Sequence, residues 1–175
     1  MTVLLTLMLL ATLPPDQTPA ANASPTIGSV RGMLNLAKDW LTKAAEQVPE
    51  EHYAFKPTPD VRSMGEVFGH VADANFMICA LAGGQKAPMS GIEKSKKTKA
   101  ELTDALTKSF AFCEAAFDGL TDARADEEIK FFIPGTHTRL GVLAFNAGHD
   151  FEHYGNIVTY MRLKGMVPPS SQRGM

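Results

Sequence analysis

His149 and His153 stand four residues apart in the stretch Gly148-His149-Asp150-Phe151-Glu152-His153-Tyr154-Gly155-Asn156. In a helix that spacing puts both imidazoles on one side, about 5–6 Å apart at Cβ, near enough to share one metal ion. Two ligands are too few, since a stable site takes three or four protein donors and another segment must supply the rest. His70, in mid-helix beside an apolar stripe, is the expected third donor. Buried, hydrogen-bonded histidines in apolar helices are the competing reading, and spacing alone leaves both open.

Three imidazoles suit borderline ions such as Zn²⁺ or Ni²⁺, whereas Ca²⁺ and Mg²⁺ prefer oxygen. Three protein ligands leave coordination positions for water or substrate, where a metal lowers the pKa of bound water to roughly 7 or activates a thiol as thiolate. Asn146, Asp150, Glu152 and Asn156 are close enough in sequence to hold the free ring nitrogens, with nothing to choose among them. The string from His149 to His153 formally matches the inverted zinc-peptidase signature, with Glu152 as base. Those peptidases draw a further ligand from well downstream in a large domain, and only residues 154–175 follow here. A di-iron carboxylate bundle would need paired Glu-x-x-His motifs, and none is present. His52 and His137 sit in loops beside prolines or glycine and are read as surface residues.

Four helices must position these groups. Ile27, Val30, Met33, Leu34, Ala37, Trp40, Leu41, Ala44 and Val48 recur at three and four, predicting a first helix from about Thr26 to Val48. Residues 50–62 carry Pro57 and Pro59 and read as a loop anchored by Tyr53 and Phe55. Ser63 and Glu66 form a capping box that opens the second helix, whose core stripe is Met64, Val67, Val71, Ala74, Ile78 and Leu81; Gly83-Gly84 ends it. A connection containing Lys94, Lys96 and Lys97 reads as solvated. Thr98 and Glu101 cap a third helix with Leu102, Leu106, Phe110, Cys113, Phe117 and Leu120 inward. Phe131-Phe132-Ile133 is expected as a short extended piece. The fourth helix, about Arg139 to Lys164, is apolar around most of its circumference, which predicts that it is the most buried. Gly165 is its expected C-cap, and residues 170–175 are expected to fray.

The chain has 175 residues, 45 % hydrophobic and 21 % charged, with a formal charge of -2. This fits one soluble domain and gives no field favouring nucleic acid or an anionic membrane. Val3 to Leu13 is an apolar run too short to span a bilayer, followed by Pro14-Pro15 and by the small-x-small pattern Ala21-Asn22-Ala23. Residues 1–23 are therefore read as a signal peptide, although no Lys or Arg precedes Arg31, and residues 24–175 as the domain. Cys79 and Cys113 lie among apolar neighbours without Cys-x-x-Cys spacing and are expected as buried free thiols. An exported chain would also permit a disulfide between adjacent helices.

The pattern resembles the DinB-like proteins. The resemblance rests on Tyr53-Ala54-Phe55-Lys56-Pro57 leading into Ser63-Met64-Gly65-Glu66-Val67-Phe68-Gly69-His70-Val71-Ala72, and on His149 to Asn156 continuing to Leu163-Lys164-Gly165-Met166-Val167-Pro168-Pro169-Ser170. It implies an all-α four-helix bundle with a long crossover between helices two and three, and a divalent metal held by His70, His149 and His153. Characterised relatives of this kind include metal-dependent transferases that use low-molecular-weight thiols. The implied function is thus a divalent-metal-binding protein, Zn or Ni ahead of other ions, with joining of a thiol to a small electrophile as its candidate reaction. The alternative is an exported, non-catalytic metal- or small-ligand-binding protein of a stress response. The expected partner is a small-molecule substrate or ligand, with no nucleic acid and no stable membrane anchor after cleavage; a homodimer is the assembly considered. The expected location is periplasmic or extracellular.

Overall fold

The computed structural model describes residues 24–172. The expected signal peptide, residues 1–23, lies outside the described residues. Four long helices make the molecule: α1 (Pro25–Gln47), α2 (Met64–Gly83), α4 (Lys99–Asp118) and α6 (Arg139–Leu163). Two single-turn helices, α3 (Ile92–Ser95) and α5 (Asp122–Ala125), and a two-stranded ribbon of β1 (Glu128–Ile129) and β2 (His137–Thr138) lie in the connections. Each of α1 and α2 packs against both α4 and α6, so α1 and α2 occupy opposite corners. The long crossover, residues 84–98, joins α2 to α4 and carries α3 back onto α2. This is the all-α four-helix bundle expected from sequence. No helix among the described residues is long and apolar enough to cross a membrane.

Both expected capping boxes are present. Ser63 N–H donates to Glu66 Oε2 at 2.7 Å while Glu66 N–H donates to Ser63 Oγ at 3.2 Å. Thr98 and Glu101 repeat the exchange on α4. Gly165 takes φ 71° just past α6, and Met166 N–H donates to Met161 O at 2.9 Å, closing the helix end in the left-handed conformation that glycine favours.

The core is built from apolar side chains at helical spacing, with Leu34, Leu41, Phe68, Phe76, Phe110 and Leu143 fully buried. Tyr53 anchors its loop by donating from its hydroxyl to Ala45 O at 2.7 Å. Trp40 on α1 stacks on Tyr154 of α6, ring centroids 5.2 Å apart.

Five expectations need correction. Helix α2, not α6, is the most buried: fourteen of its 20 residues are buried against ten of 25 in α6. α2 is covered by α3 as well as by α4 and α6, whereas α6 leaves Phe145 and Leu163 exposed. Met33 and Leu81, both placed in core stripes by periodicity, are exposed. The lysine-rich connection is not simply solvated, because Ile92 is buried and Asp73 accepts from the backbone N–H groups of Ile92 and Glu93, each at 2.9 Å. The short ribbon flanks Phe131-Phe132-Ile133 instead of containing it. Residues 169–171 form a 3₁₀ turn, held by hydrogen bonds between Ser170 and the Tyr154 hydroxyl at 2.9 Å.

The cysteines also differ from expectation. Cys79 of α2 and Cys113 of α4 are buried as predicted, but they form a disulfide across the two helices, Cα atoms 5.2 Å apart. Sequence places Cys113 on an inward stripe and Cys79 among apolar neighbours; the axial register that brings them face to face is set by α2–α4 packing.

Candidate metal centre

His70 comes from α2, and His149 and His153 from successive turns of α6, so the α2–α6 contact brings together the three histidines expected from sequence. His70 and His149 are half-buried and His153 is buried. The Nε2 atoms of His70 and His149 lie 3.2 Å apart, and those of His149 and His153 3.1 Å apart. One ligand atom from each of the three falls within 4.8 Å of the others.

Hydrogen bonding on the far side of two rings fixes which nitrogen is free. Glu93 Oε2 lies 3.2 Å from His70 Nδ1, and a carboxylate can only accept, so Nδ1 carries the proton. Asn156 Oδ1 accepts from His153 Nδ1 at 3.2 Å in the same way. In the neutral rings both Nε2 atoms are then lone pairs, and both face His149 Nε2. A single proton on His149 Nε2 can satisfy one of them and leaves the other against a bare donor-less face.

Burial keeps the rings neutral. Desolvation is the largest cause for all three, and it lowers the pKa of His149 to about 4, with further repulsion from His153, His70 and Arg62. His70 and His153 are lowered too, by burial first; Glu93 opposes the shift for His70 and Asn156 for His153.

This donor set fits a divalent ion. Two imidazole nitrogens bound about 2.1 Å from one ion at tetrahedral or octahedral angles lie about 3.0–3.4 Å apart, and the His70–His149 and His149–His153 separations fall in that range. His149 Nδ1 is buried with no hydrogen-bond partner among the described residues, the one ring nitrogen of the cluster without support.

Of the four polar residues considered near the α6 histidines, only Asn156 holds a ring nitrogen. Glu152 is exposed. Asn146 and Asp150 turn into the core, where Asn146 Nδ2 donates to Asn75 Oδ1 at 2.7 Å and to Asp150 Oδ2 at 3.4 Å. Burial pushes the Asp150 carboxyl well above the usual carboxylate range. His52 lies in the 3₁₀ turn 50–52, and His137 Nε2 donates to Ile133 O at 3.0 Å; neither joins the cluster.

Glu93 was not legible as a support for His70. It reaches the ring because Asp73, three residues after His70, caps the start of α3, and because Gly69 lets the chain approach. A Cβ at Gly69 would meet Glu93 Cα at 2.8 Å, closer than packed atoms tolerate. Glu93 Oε1 also pairs with Arg62 Nε at 3.0 Å, so one carboxylate links the 50–62 loop to the imidazole. An isolated buried Ile92 after Gly91 in a charged stretch was the available sequence signal.

Two cavities flank the cluster. A cleft of about 610 Å³ includes Lys56, Arg62, Glu93 and Asn156, with its charges largely paired: Lys56 with Glu66 and Arg62 with Glu93. On the other side a pocket of about 340 Å³ has His70 and His149 in its wall.

Residues 33–157, which contain all three histidines, match the model of the DinB superfamily. A DinB-like protein from Bacillus subtilis is similar in structure, with a TM-score of 0.66 at 21 % identity over 83 % of this chain and 99 % of that one. A DinB-like protein from Bacillus cereus matches with a TM-score of 0.72 at 19 % identity, covering 82 % of this chain and 95 % of that one. A conserved protein from Enterococcus faecalis matches with a TM-score of 0.67 at 17 % identity over 81 % and 98 % of the two chains. At such identities the likeness shows the fold. No curated protein is significantly similar in sequence.

Proposed function

This chain belongs to the DinB superfamily, and on that premise we propose that it binds one divalent metal ion, Zn²⁺ or Ni²⁺ ahead of others, through His70, His149 and His153. The observation that carries the reading is the convergence of three neutral Nε2 atoms, two of them oriented by Glu93 and Asn156. Three protein donors and the pocket walled by His70 and His149 leave room for an exogenous ligand. When bound, the ion would supply Lewis acidity that favours thiolate over thiol.

The reaction that suits this chemistry is transfer of a thiol to a small electrophile. The thiol loses its proton to solvent, sulfur bonds to the electrophilic carbon, and the leaving group departs with its electron pair. Glu93 and Asn156 keep the lone pairs of His70 and His153 directed inward, and burial keeps all three rings unprotonated at neutral pH.

A second reading is favoured by the buried Cys79–Cys113 disulfide, which supports residence in an oxidising compartment reached by export with cleavage near Ala23. Low-molecular-weight thiols are scarce there, and the same site would then bind metal or a small ligand without turnover.

Metal analysis of the full chain and of its histidine variants tests the first claim. Wild type reconstituted with Zn²⁺ or Ni²⁺ should hold one ion per chain, and His70→Ala, His149→Ala and His153→Ala should each lose most of it, while His52→Ala should not. A metal-free wild type, or a His70→Ala that binds as well, would sink the proposal. Thiol conjugation assayed against a panel of electrophiles separates the two classes: turnover favours the transferase, and metal binding without turnover favours the binding protein.

A further inference from the structure

The pocket beside His70 and His149 is built almost wholly of apolar side chains. On α2, Ala74, Met77 and Ile78 follow His70 at helical spacing on one stripe, and on α6 Phe145 precedes His149 by one turn. Phe132, from the loop between β1 and β2, closes the far wall. Three of these side chains remain open to solvent, Met77 at 45 %, Phe132 at 57 % and Phe145 at 36 %. The two phenylalanine rings are packed nonetheless. The Phe131 ring packs edge-on against Phe145 at 5.2 Å and lies 4.1 Å from Phe132, and Phe145 stacks with His149 at 6.5 Å.

The polar groups of this wall are already committed. Asp73 also lines the pocket, but both its carboxylate oxygens accept from the α3 backbone at 2.9 Å. Nothing but the two imidazoles is left to meet a polar ligand atom. A sugar, nucleotide or polyanion would find no polar partner on this wall for the hydroxyls or charges that it turns away from water, which is costly. An apolar group would instead remove the exposed faces of Met77, Phe132 and Phe145 from water. The volume of about 340 Å³ is at the small end of ligand pockets.

We propose that this pocket receives the apolar tail, aryl or alkyl, of a small ligand whose donor atom lies at the three-histidine site. The inference rests on the metal reading above and specifies the class of molecule that the site takes.

The test uses the full chain loaded with Co²⁺, whose visible absorption reports metal loading and then any added ligand. Acetohydroxamate and hexanohydroxamate carry the same donor group and differ only in tail. Hexanohydroxamate should bind at least about tenfold more tightly, from burial of the added methylenes. In Phe132→Ser and in Met77→Gln, both at solvent-open positions, the preference should fall to within about threefold, since part of the buried apolar surface is gone. Cobalt loading and acetohydroxamate affinity should not change. Equal affinity of the two probes for a cobalt-loaded wild type would overturn the pocket while leaving the metal site intact. Absence of cobalt bands would overturn the metal site and the pocket with it. A tail preference that survives both substitutions would place the tail elsewhere and overturn the assignment.

Discussion

Glu93 shows how a single side chain can tie a loop, a crossover and an imidazole together. Its two oxygens divide the work, one pairing with Arg62 and the other accepting from His70 Nδ1. Neither contact is strong for stability, because both partners are partly exposed and such pairs contribute about 0–1 kcal/mol. The effect belongs instead to the ring: with Nδ1–H held, His70 keeps its tautomer and orientation, and the donor atom gains basicity. Glu93→Ala is therefore expected to weaken metal binding about 10- to 100-fold, the usual cost of losing such an outer partner, with Glu93→Gln intermediate. The melting temperature of the metal-free protein should stay within a few degrees, by the modest value of surface pairs. Competition against a metallochromic chelator measures the affinity; an Ala variant that binds like wild type would show that His70 needs no such support. The grouping of His70, His149 and His153 could be found from spacing and likeness because helical periodicity, which sets the face of each residue, is local to the sequence. Glu93 could not, because its role depends on a crossover folding back 23 residues onto α2.

At the scale of elements, α2 is covered by α3, α4 and α6, and its two sides have different duties. One side carries Gly69, His70, Asp73 and Met77 toward α3, the histidine cluster and the apolar pocket; another carries Cys79 to α4. Helix limits and caps were legible because Ser63, Glu66, Thr98, Glu101 and Gly165 act through bonds to their own neighbours. Relative burial was not. Apolar content suggested α6 as the central helix, yet burial depends on how extensively neighbours cover an element, and the crossover lays α3 on α2 beside its contacts with α4 and α6. Pairing of Cys79 with Cys113 was hidden for the same reason. Closing a loop of 34 residues, this disulfide should stabilise the bundle by on the order of 3–4 kcal/mol in the chain-entropy account. The double variant Cys79→Ala, Cys113→Ala should accordingly lose roughly that much in urea unfolding, beyond the small volume change, and metal content at saturation should persist. Two titratable thiols in denatured, unreduced wild type would refute the disulfide itself.

For the whole molecule, the cluster couples folding to protons and, under the proposed metal reading, to metal as well. His149 is held to about 4 from an ordinary 6.5, so between those values the unfolded chain binds a proton at this residue that the folded chain refuses. Stability from this group is thus fully present above about pH 6.5 and is lost as pH falls toward 4, since stability rises with pH wherever the unfolded state binds more protons. His70 and His153, lowered by burial as well, act in the same direction. The His149 contribution, discounted for partial solvent access, is on the order of 1–2 kcal/mol. Metal adds stability in proportion to its binding to the folded state, and protons compete for the same nitrogens. The gain in melting temperature on adding Zn²⁺ should then be largest at neutral pH and shrink toward zero near pH 4. His149→Gln keeps a polar side chain of similar reach but cannot titrate. Without metal it should lose less stability than wild type between pH 7 and 4, and at any pH it should respond little to Zn²⁺. Thermal unfolding of both proteins, with and without metal across that range, checks both halves. Parallel acid profiles for the two metal-free proteins would mean that the histidine cluster does not hold its charge off in the fold, and a metal-induced gain that stays level from pH 7 down to about 5 would point to carboxylates elsewhere as the ligands, since these keep their charge to lower pH than imidazoles lose theirs to protons.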